Sequence, residues 1–438
     1  MLNPQPNTNL LLHGDALQQL KELPDNSVTA IVTDPPYGLS FMGKKWDYDV
    51  PSVEFWKEAL RVLSPGGTLL CFAGTRTQHR MAVNIEDSGF VLKDCIMWLY
   101  GSGFPKALDI GKQVDKIQGN ERGVVGDIIY PDGSKSRKTA QTFQAGGNGN
   151  ILGDTKLTKG NSIWEGWKSH GLKPAYEPII VAMKPNDGSY ANNALAHGVG
   201  GLNIEGCRIQ TNENLKGGAY CGGKRSEGDW KDNSGFKNNN LEEFKQPQGR
   251  FPANIILDEE AGKILDEQTL GNVGNGHWSK TKTMGFGEFG NGKSEYMGVG
   301  EKDKEKGGAS RFFYCAKASK SERNAGCEEL DEKLRSDNNK MMGDPGSFKT
   351  GSGNERNGLN RNHHPTVKPL KLMSYLIKLV KQPEKNLILD PFMGSGTTAL
   401  ACIENNVNWI GIEREEEYIK IINARTSHKT NNTEDRNE

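Results

Sequence analysis

Two short segments, one near each end of this chain, hold residue types that can bind and orient an amino group. The first is Asp34-Pro35-Pro36-Tyr37, which follows the apolar run 28–32. Both prolines lack a backbone N–H and fix φ, so the Asp34 carboxylate stands beside rigid carbonyl oxygens. Such an acceptor-only site suits the two N–H donors of an exocyclic NH2 group, and Tyr37 offers a face for base stacking. Alone, the tetrapeptide is also typical of a turn.

The second segment is a glycine turn near the carboxyl end. The run 386–389 predicts a buried strand, and Gly394 and Gly396 precede a helical run. The glycines allow a ligand to approach the backbone closely, and the start of the helix offers free N–H groups. The spacing is not that of a dinucleotide fingerprint, since Ala399 stands where a third glycine would be. It is not a phosphate loop either, because no Gly-Lys-Ser/Thr follows.

The elements that position these segments alternate between strands and helices. The run 408–412 predicts a strand that ends at Glu413, an acidic residue placed to hold ribose hydroxyls. Asp34 also follows a strand, and open α/β sheets bind their ligands at that end of the strands. The alternation favours a mostly parallel sheet. The apolar runs 176–183 and 310–316 predict further strands, which we expect to pair antiparallel at the edge of the sheet.

With these motifs the chain resembles the DNA amino-methyltransferases that use S-adenosylmethionine, in particular phage- and prophage-type enzymes of the N-4/N-6 DNA methylase family. Residues 12–16 (LHGDA) look like the start of the family's pattern, and residues 364–369 (HPTVKP) look like its segment before an amphipathic helix. That helical run is also typical of a core-facing helix. The likeness covers residues 8–183 and 308–425. The catalytic tetrapeptide precedes the glycine turn, which is the β-type motif order of the family.

The resemblance implies a Rossmann-like, mostly parallel, seven-stranded methyltransferase sheet that is circularly permuted. Residues 8–183 would form the catalytic half of the core, with a loop excursion over 103–172. Residues 308–425 would form the cofactor-binding half. The glycine-rich segment 184–307 is too long for a connection, and we interpret it as an inserted target-recognition region. Residues 426–438 are polar and are expected to be a disordered tail.

The resemblance also assigns roles to residues. Catalysis would fall to Asp34, Pro35, Pro36 and Tyr37. Cofactor binding would fall to Asp15, Lys368, Asp390, Phe392, Gly394, Ser395, Gly396, Thr397 and Glu413. Asp15 would hold the adenine of the cofactor, and Lys368 belongs to the segment that closes over its methionine end. Lys368 is alternatively a solvated charge at the start of a helix.

The implied activity is transfer of a methyl group from S-adenosylmethionine to the exocyclic amino group (adenine-N6) of a flipped-out adenine in double-stranded DNA. Adenine is favoured over cytosine because the cytosine-amino members of the family more often begin this motif with serine. The alternatives are cytosine-N4 methylation, an RNA or protein amino-methyltransferase, and a catalytically inactive DNA-binding module. The methyl group of a sulfonium is already activated, so alignment is the main task and no metal is expected.

Composition limits the partners and the compartment. Of the 438 residues, 55 are Lys or Arg and 55 are Asp or Glu, so DNA must be bound by local basic patches. Candidate contacts in the segment 184–307 are Arg208, Lys224, Arg225, Arg250, Lys280 and Lys282, with Trp230, Phe251 and Trp278 as wedges. The seven cysteines are scattered, which argues against disulfides and zinc. We find no membrane-spanning run or signal peptide and expect a cytoplasmic protein. A separately encoded restriction endonuclease partner and a homodimer both stay open.

Overall fold

The computed structural model describes most of the two regions that carry the motifs and part of the segment between them. The described residues are 9–39, 48–101, 107–127, 137–139, 151–154, 156–211, 248–269, 309–316, 322–334, 348–349, 355–356 and 359–434.

Nine strands form one central sheet. They are β1 (Leu10–His13), β2 (Val28–Thr33), β3 (Leu63–Phe72), β4 (Val91–Leu99), β5 (Tyr176–Met183), β6 (Ile255–Asp258), β7 (Tyr314–Ala316), β8 (Leu387–Asp390) and β9 (Asn408–Glu413). Their order across the sheet is β1-β9-β8-β2-β3-β5-β4-β6-β7. Neighbouring strands pair parallel, except that β5 is antiparallel to both β3 and β4.

Helices cover both faces of this sheet. They are α1 (Ala16–Glu22), α2 (Val53–Val62), α3 (Gln78–Asp87), α4 (Ile110–Gln118), α5 (Tyr190–His197), α6 (Glu259–Thr269), α7 (Leu370–Val380), α8 (Thr397–Glu404) and α9 (Glu416–Glu434). Short two-stranded pairs lie outside the central sheet: Gly123–Asp127 with Lys156–Lys159, Arg137–Thr139 with Ile151–Asp154, Lys333–Leu334 with Leu359–Asn360, and Phe348–Lys349 with Glu355–Arg356.

The strand β2 explains why both faces are covered. All six of its residues are buried, as expected for a central parallel strand. Val28 and Ile31 pack with buried residues of α1, α2 and α3 on one face. Ala30 and Val32 pack with those of α7, α8 and α9 on the other. The sheet therefore has a hydrophobic core on each side, and its strand ends are left for the site.

The predicted mostly parallel α/β fold is confirmed, with two differences. The sheet has nine strands where seven were expected. The expected antiparallel pairing of the runs 176–183 and 310–316 is wrong, because β5 lies between β3 and β4, and β7 pairs parallel with β6 at the edge. The strand β6 fills the place beside β4, and its run was not predicted as a strand.

Two expected boundaries also differ from the structure. Within the segment 184–307, β6 and α6 belong to the central sheet and its edge, so this segment is not inserted outside the core as a whole. Residues 426–434 continue α9, so the expected disordered tail is wrong for them. The side chain of Lys429 pairs with Glu404 of α8 at 2.8 Å, and Arg425 is 1% exposed, so packing holds a helix that composition did not predict.

Candidate active site

The carboxyl end of β2 carries a cluster of charged side chains. The Lys368 ammonium lies 2.6 Å from Asp34 Oδ2 and 3.2 Å from Glu177 Oε2. The Tyr37 hydroxyl donates to Asp34 Oδ1 at 2.7 Å and lies 3.2 Å from Glu177 Oε2. Only 12% of the Lys368 side chain is exposed. Two carboxylates, one ammonium and one phenol hydroxyl therefore share a mostly enclosed site.

Burial and the neighbouring carboxylates together fix the charge states of Lys368 and Tyr37. Desolvation lowers the pKa of Lys368, but the carboxylates of Asp34 and Glu177 outweigh it and raise that pKa overall. Burial and the same two carboxylates raise the pKa of Tyr37 well above its ordinary value. Lys368 is therefore a cation, and Tyr37 is a neutral donor, across the physiological range.

The glycine turn at the carboxyl end of β8 has the backbone that the sequence predicts. Gly394 has φ +58° and Gly396 has φ +80°, which favour glycine. A Cβ atom on Gly394 would lie 3.0 Å from His364 Nε2, and one on Gly396 would lie 3.2 Å from a methyl group of Ile422. The turn is therefore closely packed on the side away from the sheet, and glycine is required at Gly394 for both conformation and space.

The two acidic residues beside this turn are held by hydroxyl and N–H donors. Asp390 is 2% exposed and accepts hydrogen bonds from Thr33 at 2.8 Å and Thr398 at 2.5 Å. Glu413 accepts from the backbone N–H of Gly394 at 2.8 Å. Burial raises the pKa of Asp390 to about 6 and that of Glu413 to about 7, against the lowering effect of these donors. Asp390 thus cross-links β2 and α8, while Glu413 holds the turn.

The remaining predicted cofactor residues surround the same turn. Asp15 is exposed and caps α1 by accepting from the N–H of Gln18. Phe392 is half-buried, with its ring 5.1 Å from that of Phe55. Ser395 and Thr397 are buried. Their side-chain oxygens lie 3.1 and 3.3 Å from an Arg425 nitrogen that also donates to the Ser395 carbonyl at 2.6 Å.

A strap of five residues, 364–368, connects the two groups of side chains. His364 stands against Gly394 and edge-on to the Tyr418 ring, with centroids 4.5 Å apart. Burial lowers the pKa of His364 to about 4, so its imidazole is neutral near pH 7. Lys368, at the other end of the strap, reaches Asp34. The strap therefore contacts the glycine turn with its first residue and the charged cluster with its last.

One cavity of about 1220 Å³ joins both groups. Every predicted site residue except Gly396 lines it, and Glu177, Phe55 and His364 line it as well. The volume exceeds the ~300–1,000 Å³ of typical small-molecule pockets. It can hold a nucleoside-sized ligand at the glycine turn and a second planar group at Asp34.

The segment 169–177 forms one wall of the cavity. Its backbone is fixed by hydrogen bonds, because Ser169 N–H donates to the Leu108 carbonyl at 2.9 Å and the Lys173 ammonium to the Gly101 carbonyl at 2.6 Å. Leu172 is nevertheless 93% exposed. The first four residues of this wall, 169–172, belong to the expected loop excursion over 103–172, which also contains α4.

The structure gives one predicted residue a contact that was not expected and adds other residues. Lys368 lies against Asp34, and its expected role at the methionine end of a cofactor stays a prediction. Sequence reasoning missed Glu177, the second residue of the predicted strand 176–183, and the buried Arg425, the last residue of the expected cofactor-binding half. A charged residue near the start of a predicted buried strand could have indicated that Glu177 belongs to the site. Arg425 gave no such signal.

The candidate DNA contacts are only partly described. Lys224, Arg225, Trp230, Trp278, Lys280 and Lys282 lie outside the described residues. Arg208 pairs with Glu205 at 2.7 Å, Arg250 lies over the Phe312 ring at 4.4 Å, and Phe251 is exposed. The six cysteines in the described ranges are free thiols. Those ranges contain no cluster of acidic, histidine and cysteine side chains able to hold a metal and no helix that could span a membrane.

Comparison with protein families gives one match over most of the chain. A family model described as DNA methylase, of the N6/N4 methyltransferase type, matches residues 28–424.

Among curated proteins, the chain is similar to two Type II methyltransferases of Haemophilus. M.HindIII of Haemophilus influenzae is 25% identical over 236 residues, which are 44% of this chain and 64% of that protein. M.HpaI of Haemophilus parainfluenzae is 35% identical over 118 residues, 24% of this chain and 37% of that protein. The matches thus span less than two thirds of these relatives.

Among solved structures, the chain aligns with M1.HpyAVI at 15% identity and a TM-score of 0.37, covering 95% of this chain and 98% of that one. It aligns with PvuII DNA methyltransferase (cytosine-N4-specific) at 14% identity and a TM-score of 0.39, covering 97% and 91%.

Proposed function

Since this chain belongs to the DNA methylase family, whose model matches residues 28–424, we propose that it transfers a methyl group from S-adenosylmethionine to the exocyclic amino group of a base in double-stranded DNA. The observation that carries the proposal is the single cavity at the carboxyl edge of the sheet. It joins an amine-binding cluster around Asp34 to a glycine turn with an adjacent carboxylate, Glu413. A transfer between two bound molecules needs both sites within one enclosure.

The residues at the turn fit S-adenosylmethionine. Asp15 and Glu413 line the cavity and supply carboxylate acceptors for adenine and ribose donors. Gly394 and Phe392 line the cavity beside these carboxylates, and Phe392 adds an apolar surface. The cavity wall carries more carboxylates than cations, which suits a ligand with a sulfonium and an ammonium group. When bound, the cofactor supplies the activated methyl group.

The cluster around Asp34 suits the amino group that receives the methyl. The Lys368 ammonium is itself a nitrogen with N–H donors and a positive charge, and it sits between Asp34, Glu177 and Tyr37. A base nitrogen under attack on a sulfonium acquires the same kind of charge. Asp34 would orient this nitrogen together with the Pro35 carbonyl and stabilise its charge. Pro36 restricts that backbone, and Tyr37 would stack on the base.

We propose adenine-N6 as the target, on the aspartate that begins the motif, and cytosine-N4 as the alternative. Duplex DNA would be bound by the wall 169–177 and by the parts of 184–307 outside the central sheet, where Phe251 is exposed at the surface. In this arrangement residues 8–183 supply the catalytic half and residues 308–425 the cofactor half.

Base-resolved methylation mapping of DNA from cells that express the protein tests the proposal. We expect methyl groups on adenine amino groups in one sequence context. They should be absent with Asp34→Ala and present with the surface control Asp87→Ala, which changes an exposed carboxylate of α3. Marks on cytosine amino groups would establish the alternative target. No mark on either base with the unaltered protein would contradict the proposal.

A further inference from the structure

Both oxygens of the Asp34 carboxylate are engaged in this structure. Oδ1 accepts from the Tyr37 hydroxyl at 2.7 Å, and Oδ2 contacts the Lys368 ammonium at 2.6 Å. An amino group that binds Asp34 needs one of these oxygens as an acceptor. Because Tyr37 and Asp34 are neighbours on one turn, Lys368 is the partner that a target base would displace.

Lys368 at Asp34 also opposes the chemistry proposed for this site. The reaction transfers a methyl group from a positively charged sulfonium to a nitrogen: the sulfur–carbon bond breaks as the nitrogen–carbon bond forms, and the nitrogen gains the positive charge that sulfur loses. A third cation held against the carboxylate that stabilises this nitrogen would cancel part of its field. The arrangement with Lys368 on Asp34 therefore suits the empty site and not the transfer step.

Glu177 offers the lysine a second place within the same cavity. Its Oε2 is already 3.2 Å from the Lys368 ammonium, and its side chain is half-buried. Glu177 is the second residue of β5, a strand that is hydrogen-bonded to β3 on one side and to β4 on the other. A lysine side chain has a flexible four-carbon stem. A small rotation of this stem can move the ammonium from one carboxylate to the other without a backbone movement.

Two aromatic rings lie near the Lys368 ammonium. It lies 4.8 Å from the centre of the Phe72 ring and 5.6 Å from that of Tyr37, distances at which ring faces attract a cation. The strap that carries Lys368 is fixed at its other end, where His364 packs against Gly394. The cation can thus be held in the cavity while it changes partners.

We propose that Lys368 is a movable counter-ion, which pairs with Asp34 in the empty site and shifts to Glu177 when the target amino group enters. Glu177 is then a positioning residue: it removes the lysine from Asp34 and so opens Oδ2 to the amino group. This inference rests on the proposed function and adds a role for Glu177 in it.

A double-mutant cycle tests the exchange. Single-turnover methyl transfer is measured with wild type, Glu177→Gln, Lys368→Met and the double variant, on a duplex oligonucleotide that contains the mapped site. Glu177→Gln leaves Lys368 with Asp34 as its only carboxylate. We expect its rate to fall on the order of 30-fold, the size found when one partner of a buried charge pair is lost.

The decisive comparison is between the double variant and Glu177→Gln. Adding Lys368→Met to Glu177→Gln removes the competing cation, and the net charge of the cluster returns to that of wild type. The rate should therefore rise above that of Glu177→Gln. Lys368→Met alone leaves two uncompensated carboxylates and should lower the rate. Affinity for S-adenosylmethionine, measured by calorimetry, should be the same in wild type and Glu177→Gln. Binding of the cofactor by all four proteins also shows that the variants are folded.

Two results would overturn the exchange: a wild-type rate for Glu177→Gln, or losses that simply multiply in the double variant. If either single variant is poorly folded, Glu177→Asp keeps the charge on a shorter side chain and should retain more activity than Glu177→Gln; equal rates would count against the proposal. Failure of the proposed function is recognised separately, because wild type itself would then give no methyl transfer.

Discussion

The two halves of the cavity treat their buried carboxylates differently. At the end of β2, Asp34 and Glu177 share the Lys368 cation. At the ends of β8 and β9, Asp390 and Glu413 are held by hydroxyl and backbone N–H donors, and burial raises their pKa values to about 6 and about 7. At the first pair a cation compensates the carboxylate charge. Neutral donors leave the other half able to take up protons near neutral pH.

This difference predicts that changes at the glycine turn act on cofactor affinity and changes at the cluster act on transfer. The strap 364–368 is the connection between them, since His364 contacts Gly394 and Lys368 contacts Asp34.

The largest effect is expected at Gly394. Gly394→Ala places a Cβ 3.0 Å from His364 and keeps φ at +58°. The left-handed backbone costs the folded protein ~1–2 kcal/mol of stability. Displacement of His364 also changes the turn that lines the cavity, so affinity for S-adenosylmethionine should fall on the order of 100-fold. Calorimetry checks the value.

The matched control is Gly119→Ala, in the left-handed residue that ends α4. Its φ is +71°, and a Cβ there meets nothing within 4 Å. It should lower the free energy of unfolding by a similar strain and leave cofactor affinity unchanged. Equal affinity for the cofactor in both variants would mean that the glycine turn does not bind it.

The next effect lies in the other half. Tyr37→Ala removes the stacking surface and should weaken binding of the base by about 1–3 kcal/mol. Tyr37→Phe keeps the ring, so it should retain most of this binding and lose only the hydroxyl contact with Asp34. Fluorescence of 2-aminopurine at the target position reports the base, and calorimetry should give wild-type cofactor affinity. A lowered affinity for S-adenosylmethionine in either variant would contradict the division of the cavity into two halves.

A smaller effect concerns pH and Glu413. Its pKa is raised from an ordinary 4.5 to about 7, so the residue takes up a proton as pH falls through about 7. If ribose hydroxyls bind the ionised form, affinity for S-adenosylmethionine should rise about tenfold between pH 6 and pH 8. Glu413→Gln should bind more weakly and without this slope. An unchanged slope in that variant would assign the titration elsewhere.

The same raised pKa has a consequence for stability. A carboxyl whose folded pKa is higher than its unfolded pKa contributes stability below the unfolded value, and this contribution is lost as pH rises through the folded value. For Glu413 the window runs from about 4.5 to about 7. The free energy of unfolding, measured in urea, should therefore depend less on pH in Glu413→Gln across this window.

The smallest effect is expected on the wall of the cavity. Leu172 is 93% exposed and lines the cavity, and we expect it to contact DNA around a displaced base. Leu172→Ala should reduce transfer on duplex DNA several-fold and on single-stranded DNA much less. Leu195→Ala, an 89% exposed leucine on α5 away from the cavity, is the control. Similar rates for both variants on duplex DNA would remove Leu172 from the DNA surface.

The sequence predicts the parts of the site that depend on local chain geometry. Asp34 follows a buried strand, Asp390 and Glu413 each end one, and parallel strands bring such residues to one edge. Gly394 and Gly396 stand where a strand turns into a helix. These residues line or form the cavity as expected, because a strand end is fixed by a few neighbouring residues.

Other parts depend on contacts between distant segments and could not be predicted in this way. Glu177 reaches Lys368 only because β5 lies beside β3, and Arg425 is buried only because α9 packs behind the glycine turn. The strand β6 joins β4 from more than 150 residues away. The family resemblance assigned Lys368 to the cofactor, and its contact with Asp34 was not predicted.

The most direct test of the account uses Asp34→Ala as purified protein. Methyl transfer to a duplex with the mapped site and affinity for S-adenosylmethionine are measured on the same preparation. We predict that transfer is lost while affinity stays near that of wild type, because Asp34 belongs to the base half and Glu413 and Gly394 to the cofactor half. Transfer at the wild-type rate, or loss of cofactor binding in step with transfer, would contradict the division of the cavity.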